Sequence, residues 1–225
     1  MITLSVFIPA YNEAGNLENV VKDTLSVLPG IVRDYEIIIV DDGSKDETGE
    51  IAERLARENN KIRAIHHHRN LGFGSVQKTG YTESRLEYVM LIPADGQFDP
   101  REIRNLIESR DGADIVVGFR KNRNCSIERK IVSACLKFSL RIFFGLYLKD
   151  SQWVKMVKRD LFRTINIESA GPFVDAEILI KAKRKKCIIS EVETHQLPRI
   201  SGRSHASSFR LAFSSFIELL SFRLK

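Results

Sequence analysis

Over the first 120 residues, short apolar, β-branched runs alternate with longer amphipathic stretches. That alternation predicts an α/β fold whose mostly parallel sheet is covered by helices. Strands are expected at residues 4–8, 36–40, 62–66, 88–92 and 114–117, and helices at 13–28, 47–59, 75–85 and 100–109. The first helix has the clearest signal, because Leu17, Val20, Val21, Thr24, Leu25 and Leu28 recur at helical spacing. In sheets of this kind ligands bind beyond the carboxyl ends of the strands. The loops expected there, 9–13, 41–44, 70–74, 93–97 and 118–120, hold the least ordinary residues of this half and predict a site on one edge.

The pattern changes after residue 120. Residues 126–148 form a long helix candidate in which Lys130, Ser133, Lys137 and Arg141 make one polar stripe on an otherwise apolar cylinder. The tail repeats the design, with Arg210, Ser214, Glu218 and Ser221 in one stripe among Phe209, Leu211, Phe213, Phe216, Ile217, Leu219, Leu220 and Phe222. A wide apolar arc with a narrow basic stripe suits a helix lying in a membrane interface, and equally a helix packed on a core.

A length of 225 residues, 43% of them hydrophobic and 28% charged, fits one globular domain and excludes a disordered chain. No stretch reaches the roughly 18 to 20 uninterrupted apolar residues of a membrane span. The start lacks a basic region followed by an apolar one, so a cytoplasmic location without a secretory signal is expected. Cys125, Cys135 and Cys187 show no C-x-x-C spacing, which predicts reduced thiols rather than a disulfide or zinc framework. The net charge of +6 points to an anionic partner, either nucleic acid, a membrane surface or a phosphorylated substrate.

The run VDDGS puts Asp41 and Asp42 at a strand end, with Asp46 and Thr48 near a helix start. Carboxylates there can accept hydrogen bonds from a ribose or a base, or serve as turn and cap residues. The loop PADGQ, residues 93–97, offers Asp95 and Gln97 as oxygen ligands suited to Mg or Mn carried on a diphosphate. The glycines of NLGFGSVQKTG match neither a Walker loop nor a dinucleotide fingerprint. His66, His67 and His68 cannot all face one metal from an extended chain.

The combination of IPAYNE (8–13), IIVDDGSKDET (38–48), NLGFGSVQKTGY (70–81), ADGQFDP (94–100), GFR (118–120) and RISGRS (199–204) resembles the inverting family 2 glycosyltransferases of GT-A fold. Within them it is most similar to the polyprenyl-phosphate (dolichol-phosphate-type) sugar transferases. The resemblance implies a single domain over 1–225, with a donor half at 1–120 and an acceptor and membrane-interface half at 121–225. It implies that Pro9, Tyr11, Glu13, Val40, Asp42 and Ala94 line the donor nucleotide pocket, with Asp95 and Gln97 holding Mg or Mn. On the acceptor side it implies that Arg120, Arg129, Ser133 and Arg199 grip a lipid phosphate, and that Asp95, Arg120 and Arg199 carry catalysis. Arginine suits phosphate because its planar, permanently charged fork binds two oxygens at once.

Two departures stand out. Pro93 occupies the place of the usual first Asp of a D-x-D pair, and Trp153 and Val154 replace a Gly-Phe-Lys element, with Lys155 expected to keep its basic role. The partners implied are a nucleotide-diphosphate sugar, a polyprenyl phosphate and a membrane surface. The basic residues concentrate in the later half, at Arg120, Arg129, Lys130, Lys137, Arg141, 181–186 and 199–210, which makes nucleic acid the least fitting anionic partner. The expected location is cytoplasmic, peripheral at the cytoplasmic membrane face. Two alternatives remain at this stage: a soluble transferase acting on a saccharide hydroxyl, with Asp175 or Glu177 as base, and a catalytically idle nucleotide-sugar or membrane-binding module.

Overall fold

A computed structural model describes residues 1–121 and 127–198 together with 218, 219 and 222; the side chains of 127–129, 131 and 132 lie outside the described set. Among the described residues, seven strands form one sheet in the order β3-β2-β1-β4-β6-β5-β7. They are β1 (Thr3–Ala10), β2 (Asp34–Asp41), β3 (Ile62–His66), β4 (Tyr88–Leu91), β5 (Ile115–Arg120), β6 (Lys155–Lys158) and β7 (Ile189–Thr194). The five strands read from the apolar runs all form. Two more, β6 and β7, were not expected. Only β6 runs antiparallel to its neighbours, so the other six point the same way and end on one edge.

Successive residues of a strand face opposite sides, and here both sides are covered. On β1, Leu4, Val6 and Ile8 pack with Leu17, Val20 and Val21 of α1 (Leu17–Val27), Ala52 and Leu55 of α2 (Thr48–Glu58), and Leu106 of α4 (Ile103–Glu108). Phe7 of β1 points the other way, with Ile38, Val40 and Val89. That layer is closed by Val76 and Tyr81 of α3 (Phe73–Glu83), Leu136 and Leu140 of α5 (Ile127–Phe144), and Ile178 and Leu179 of α6 (Val174–Arg184). Burial on both faces explains why the strands read as continuous apolar runs.

The second half of the chain completes the sheet of the first. β6 inserts between β4 and β5, and β7 adds alongside β5. The carboxyl end of β7 is thereby brought to the edge where β1, β2, β4 and β5 end.

On α5, Lys130, Lys137 and Arg141 are exposed as the stripe predicts, whereas Ser133 is half-buried and Phe138 and Ile142 face solvent. Most of the expected tail helix lies outside the described residues; Leu219 and Phe222 are buried in the α3–α5–α6 layer. Cys135 and Cys187 are free thiols, and Cys125 lies outside the described residues.

Candidate active site

The loops after β1 and β2 are stitched together by short polar side chains. Asn12 takes a left-handed backbone (φ 54°) and accepts from the Lys45 amide through Oδ1 (2.8 Å), while its own amide donates to Ser44 Oγ (2.9 Å). The Glu13 amide donates to Thr48 Oγ1 (2.8 Å) and the Ala14 amide to Asp46 Oδ2 (3.2 Å). Asp46 also accepts from the Thr48 amide and hydroxyl. Burial works against its charge, but these hydrogen bonds outweigh it and hold its carboxyl below the ordinary 3.8. Asp46 and Thr48 thus take the turn role ahead of α2, whose N-cap position is Glu47. Glu13 accepts from Asn16 Nδ2 (2.6 Å), and Pro9, Tyr11 and Glu13 are half-buried on this edge.

The two aspartates of VDDGS are nearly inaccessible, at 5% and 3% exposure, so each needs internal partners. The histidine run supplies them. In register, Asp41 lies opposite His66 across the β2–β3 pair. Asp41 Oδ2 faces His66 Nδ1 at 3.0 Å, and the other ring nitrogen meets Glu53 Oε1 at 3.0 Å. His67 turns to the opposite side and its Nδ1 meets Asp42 Oδ1 at 2.7 Å. Asp42 also accepts from the amides of Leu71 (3.0 Å) and Gly72 (3.0 Å), which wraps the loop before α3 around its carboxylate. Gly43 (φ 67°) is required here, because a Cβ would stand 2.6 Å from the Arg69 backbone.

Both nitrogens of His66 face carboxylates, an arrangement only the imidazolium satisfies fully. Partial burial opposes that charge, but the hydrogen bonds to Asp41 and Glu53 outweigh it and raise the His66 pKa above 6.5. The stabilisation is therefore complete below about pH 6.5 and disappears as pH rises through the raised folded-state value. The melting temperature of the wild type is expected to fall across that window relative to His66→Gln; parallel pH profiles for the two proteins would contradict the assignment.

In the loop after β4, Ala94 is buried, Asp95 and Gln97 are half-buried, and the Gln97 amide donates to Asp95 Oδ1 (3.0 Å) across Gly96 (φ 72°). Asp95 is the only carboxylate within residues 93–97. Among the described residues, no group of three His, Cys, Asp or Glu side chains is arranged to hold a metal ion. This loop is tied to the segment after β7: the Leu197 amide donates to Gln97 O (2.8 Å), and Phe98 bridges Gln196.

Arg120 ends β5 with its side chain only 8% exposed. Its Nε donates to Asp150 Oδ2 (2.8 Å), Nη2 lies 2.7 Å from the same oxygen without an aligned hydrogen bond, and the guanidinium stacks over Trp153 at 4.4 Å. Trp153 donates from Nε1 to Thr194 Oγ1 (3.0 Å) and meets Phe98 edge-on at 6.3 Å. The replacement of the expected Gly-Phe-Lys element is thus a wall shared by the Asp95 loop and Arg120.

Lys155 does not reach the surface. It is 2% exposed, with Nζ on Asp175 Oδ1 (2.5 Å) and on the Trp153 carbonyl (2.9 Å). Arg129 falls in the first turn of α5, four residues before Ser133; its side chain and the whole of Arg199 lie outside the described residues.

Two histidines were missed as partners of the site. The signal was present: a strand pairing that sets Asp41 opposite His66 also sends the next residue of each strand to the other face.

The profile of the glycosyl transferase family 2 domain matches residues 5–164. The chain belongs to this family. Its relatives include glycosyltransferase AglD of Haloferax volcanii, 31% identical over 209 residues that make up 88% of this chain and 34% of that protein. They also include an undecaprenyl-phosphate 4-deoxy-4-formamido-L-arabinose transferase of Edwardsiella ictaluri, 33% identical over 149 residues, 65% of this chain and 46% of that protein. The chain thus spans less than half the length of these family 2 relatives. Among solved structures, glucosyl-3-phosphoglycerate synthase of Mycobacterium tuberculosis in complex with UDP superposes with a TM-score of 0.77 at 21% identity, covering 99% of this chain and 80% of that one. The expected α/β GT-A fold is therefore the one observed.

Proposed function

We propose that this chain transfers a sugar from a nucleotide-diphosphate sugar to a polyprenyl phosphate with inversion, assisted by a divalent cation. The observation that carries the reading is the meeting of the two halves at one sheet edge. The loop holding Asp95 and Gln97 is hydrogen-bonded to the segment that follows β7 and shares the Trp153 wall with Arg120. A donor held at the first can face an acceptor held at the second. The undecaprenyl-phosphate transferases among the relatives support a lipid phosphate as that acceptor.

The chemistry fits the residues. An acceptor phosphate oxygen attacks the anomeric carbon in line, the bond from that carbon to the diphosphate breaks, and nucleoside diphosphate leaves. A phosphomonoester has a second pKa near 6 and is already largely ionised, so no strong base is needed. The carboxylates that a hydroxyl acceptor would call on are otherwise occupied. Asp175 pairs with Lys155, and Glu177 accepts from the amides of Glu168 and Ser169 (2.8 Å each) and from Lys181 (2.6 Å). This favours the phosphate over the hydroxyl acceptor.

One carboxylate and one amide are a sparse set for a resident metal, but they fit Mg or Mn borne mainly by a diphosphate. Asp95 and Gln97 would hold the ion, and when bound it offsets charge on the leaving diphosphate. The complex of the mycobacterial synthase with Mn²⁺ and UDP-glucose supports such a cation. Pro9, Tyr11, Glu13, Val40, Asp42 and Ala94 line the nucleotide side in this reading. Arg120, Arg129, Ser133 and Arg199 line the acceptor side, with Arg120 and Arg199 catalytic.

No helix among the described residues is long and apolar enough to cross a membrane. Phe138, Ile142 and Tyr147 are 66%, 60% and 69% exposed beside Lys137 and Arg141, a surface suited to the cytoplasmic membrane face where a lipid acceptor resides. A panel of nucleotide sugars with Mg or Mn, offered either polyprenyl phosphate or saccharides, tests the reading. Product on the lipid phosphate is expected. Product on saccharides alone would establish the hydroxyl alternative, and donor binding without turnover would indicate an idle module.

A further inference from the structure

The contacts of Asp42 give the histidine run a task. Asp42 is 3% exposed and its carboxylate offers about four acceptor positions. Among the described residues three are filled, by His67 Nδ1 (2.7 Å), the Leu71 amide (3.0 Å) and the Gly72 amide (3.0 Å). His67 is the only side chain among these three donors. A carboxylate can only accept, so Nδ1 must carry a proton. In the neutral ring Nε2 is then an acceptor, and it lies 2.9 Å from Thr79 Oγ1, whose hydroxyl can donate to it. The His67 amide also donates to Asp41 O (2.9 Å), which fixes the backbone from which the ring projects.

Thr79 stands on α3, and the Asp42-bound loop leads into that same helix. The chain Thr79–His67–Asp42 therefore ties the carboxylate to a rigid element from one side while two amides hold it from the other. A histidine whose second nitrogen is fixed in this way has one tautomer and one orientation, as outer-shell histidines at other polar sites do.

We propose that His67 is a positioning residue for the nucleotide: its Nδ1–H, set by the Thr79 hydroxyl, aims Asp42 so that its remaining acceptor position meets an N–H of the donor's base. The inference rests on the reading that Asp42 lines the nucleotide pocket. A histidine acting only as a structural strut would be replaceable for folding with no specific effect on ligand affinity. A positioning histidine is rescued by a side chain that keeps the one donor at the Nδ1 place. Asparagine does this, because its amide nitrogen falls where Nδ1 stands.

The test is calorimetric titration of UDP, GDP and dTDP, each with MnCl₂, into wild type, Asp42→Ala, His67→Ala, His67→Asn and Thr79→Val. Asp42→Ala is expected to abolish measurable binding of the nucleotide that wild type prefers. His67→Ala should weaken it about tenfold or more, as expected for losing a hydrogen bond to a charged group. His67→Asn should lie within about threefold of wild type, and Thr79→Val should lose about threefold. Wild-type affinity in His67→Ala alongside loss in Asp42→Ala overturns the inference, as does failure of His67→Asn to recover binding at an unchanged melting temperature. Should His67→Ala not fold, the His67→Asn and Thr79→Val measurements decide. Unaltered binding in Asp42→Ala, or no nucleotide bound by wild type, refutes instead the reading on which the inference rests.

Discussion

Asp95→Ala is expected to lower cation-dependent sugar transfer by about 10²- to 10³-fold, the usual cost of removing a group that stabilises charge developing in the transition state. The loop after β4 concentrates its oxygen chemistry in this residue. Pro93 brings neither a carboxylate nor an amide hydrogen, and Gln97 is neutral. The Gln97 amide already donates to Asp95 Oδ1 at 3.0 Å, and Gly96 takes a left-handed turn (φ 72°) that lets the two residues approach. The carboxylate is thus oriented before any ligand arrives. Gln97→Ala, which deletes the neutral ligand proposed above, should cost less and shift the MnCl₂ concentration needed for half-maximal rate. Initial rates across a MnCl₂ titration provide the measurement. Asp95→Ala protein with wild-type rate and unchanged cation demand would remove Asp95 from the metal site.

Lys155→Ala is expected to cost about 3–5 kcal/mol of stability, because it strands a buried carboxylate. Lys155 is 2% exposed and Asp175 8%, with 2.5 Å between Nζ and Oδ1. Among the described residues, the other donor to Asp175 is the neutral amide of Gln77, at 3.2 Å. Asp175 also acts on Tyr81: burial and the charge of Asp175 push the Tyr81 hydroxyl well above the ordinary phenol value, and Tyr81 stacks on Phe162 in the same layer. Replacing both partners, Lys155→Met with Asp175→Leu, should cost far less than the single change, since no unpaired charge remains. Urea unfolding of the wild type and the two variants measures this. A loss below about 1 kcal/mol in Lys155→Ala would mean that Asp175 is not held by Lys155.

The sequence shows the fold of residues 1–120 more plainly than that of the later half, for a physical reason. Strands buried on both faces must be apolar throughout, so β1, β2 and β4 stand out from the helices between them. β6 is only four residues, KMVK, with a buried lysine whose charge is met from α6, a contact 20 residues away that no local pattern encodes. β7, ISEVET, is an edge strand with most positions half-buried, and polar residues are tolerated there. The stripe on α5 was read correctly for Lys130, Lys137 and Arg141, but the exposed Phe138 and Ile142 show that apolar residues on that helix do not all face the core.

The site divides the same way. The sheet edge and the loops carrying Asp42, Asp95 and Arg120 followed from strand ends, because the topology sends six strands in one direction. The partners of those residues did not. Asp150 lies 30 residues from Arg120, and the pairing depends on β6 entering the sheet between β4 and β5. The partnership of His66 and His67 with Asp41 and Asp42 needed only the parallel register of β2 and β3, and was legible in principle.

A phosphate oxygen as the nucleophile is tested most directly by offering the same nucleotide sugar, with MnCl₂, to undecaprenyl phosphate and to undecaprenol in matched detergent. Glycosyl lipid formed from the phosphate alone, with nucleoside diphosphate released in equal amount, is the expected result. Comparable glycosylation of the alcohol, or transfer only to added saccharides, would contradict it.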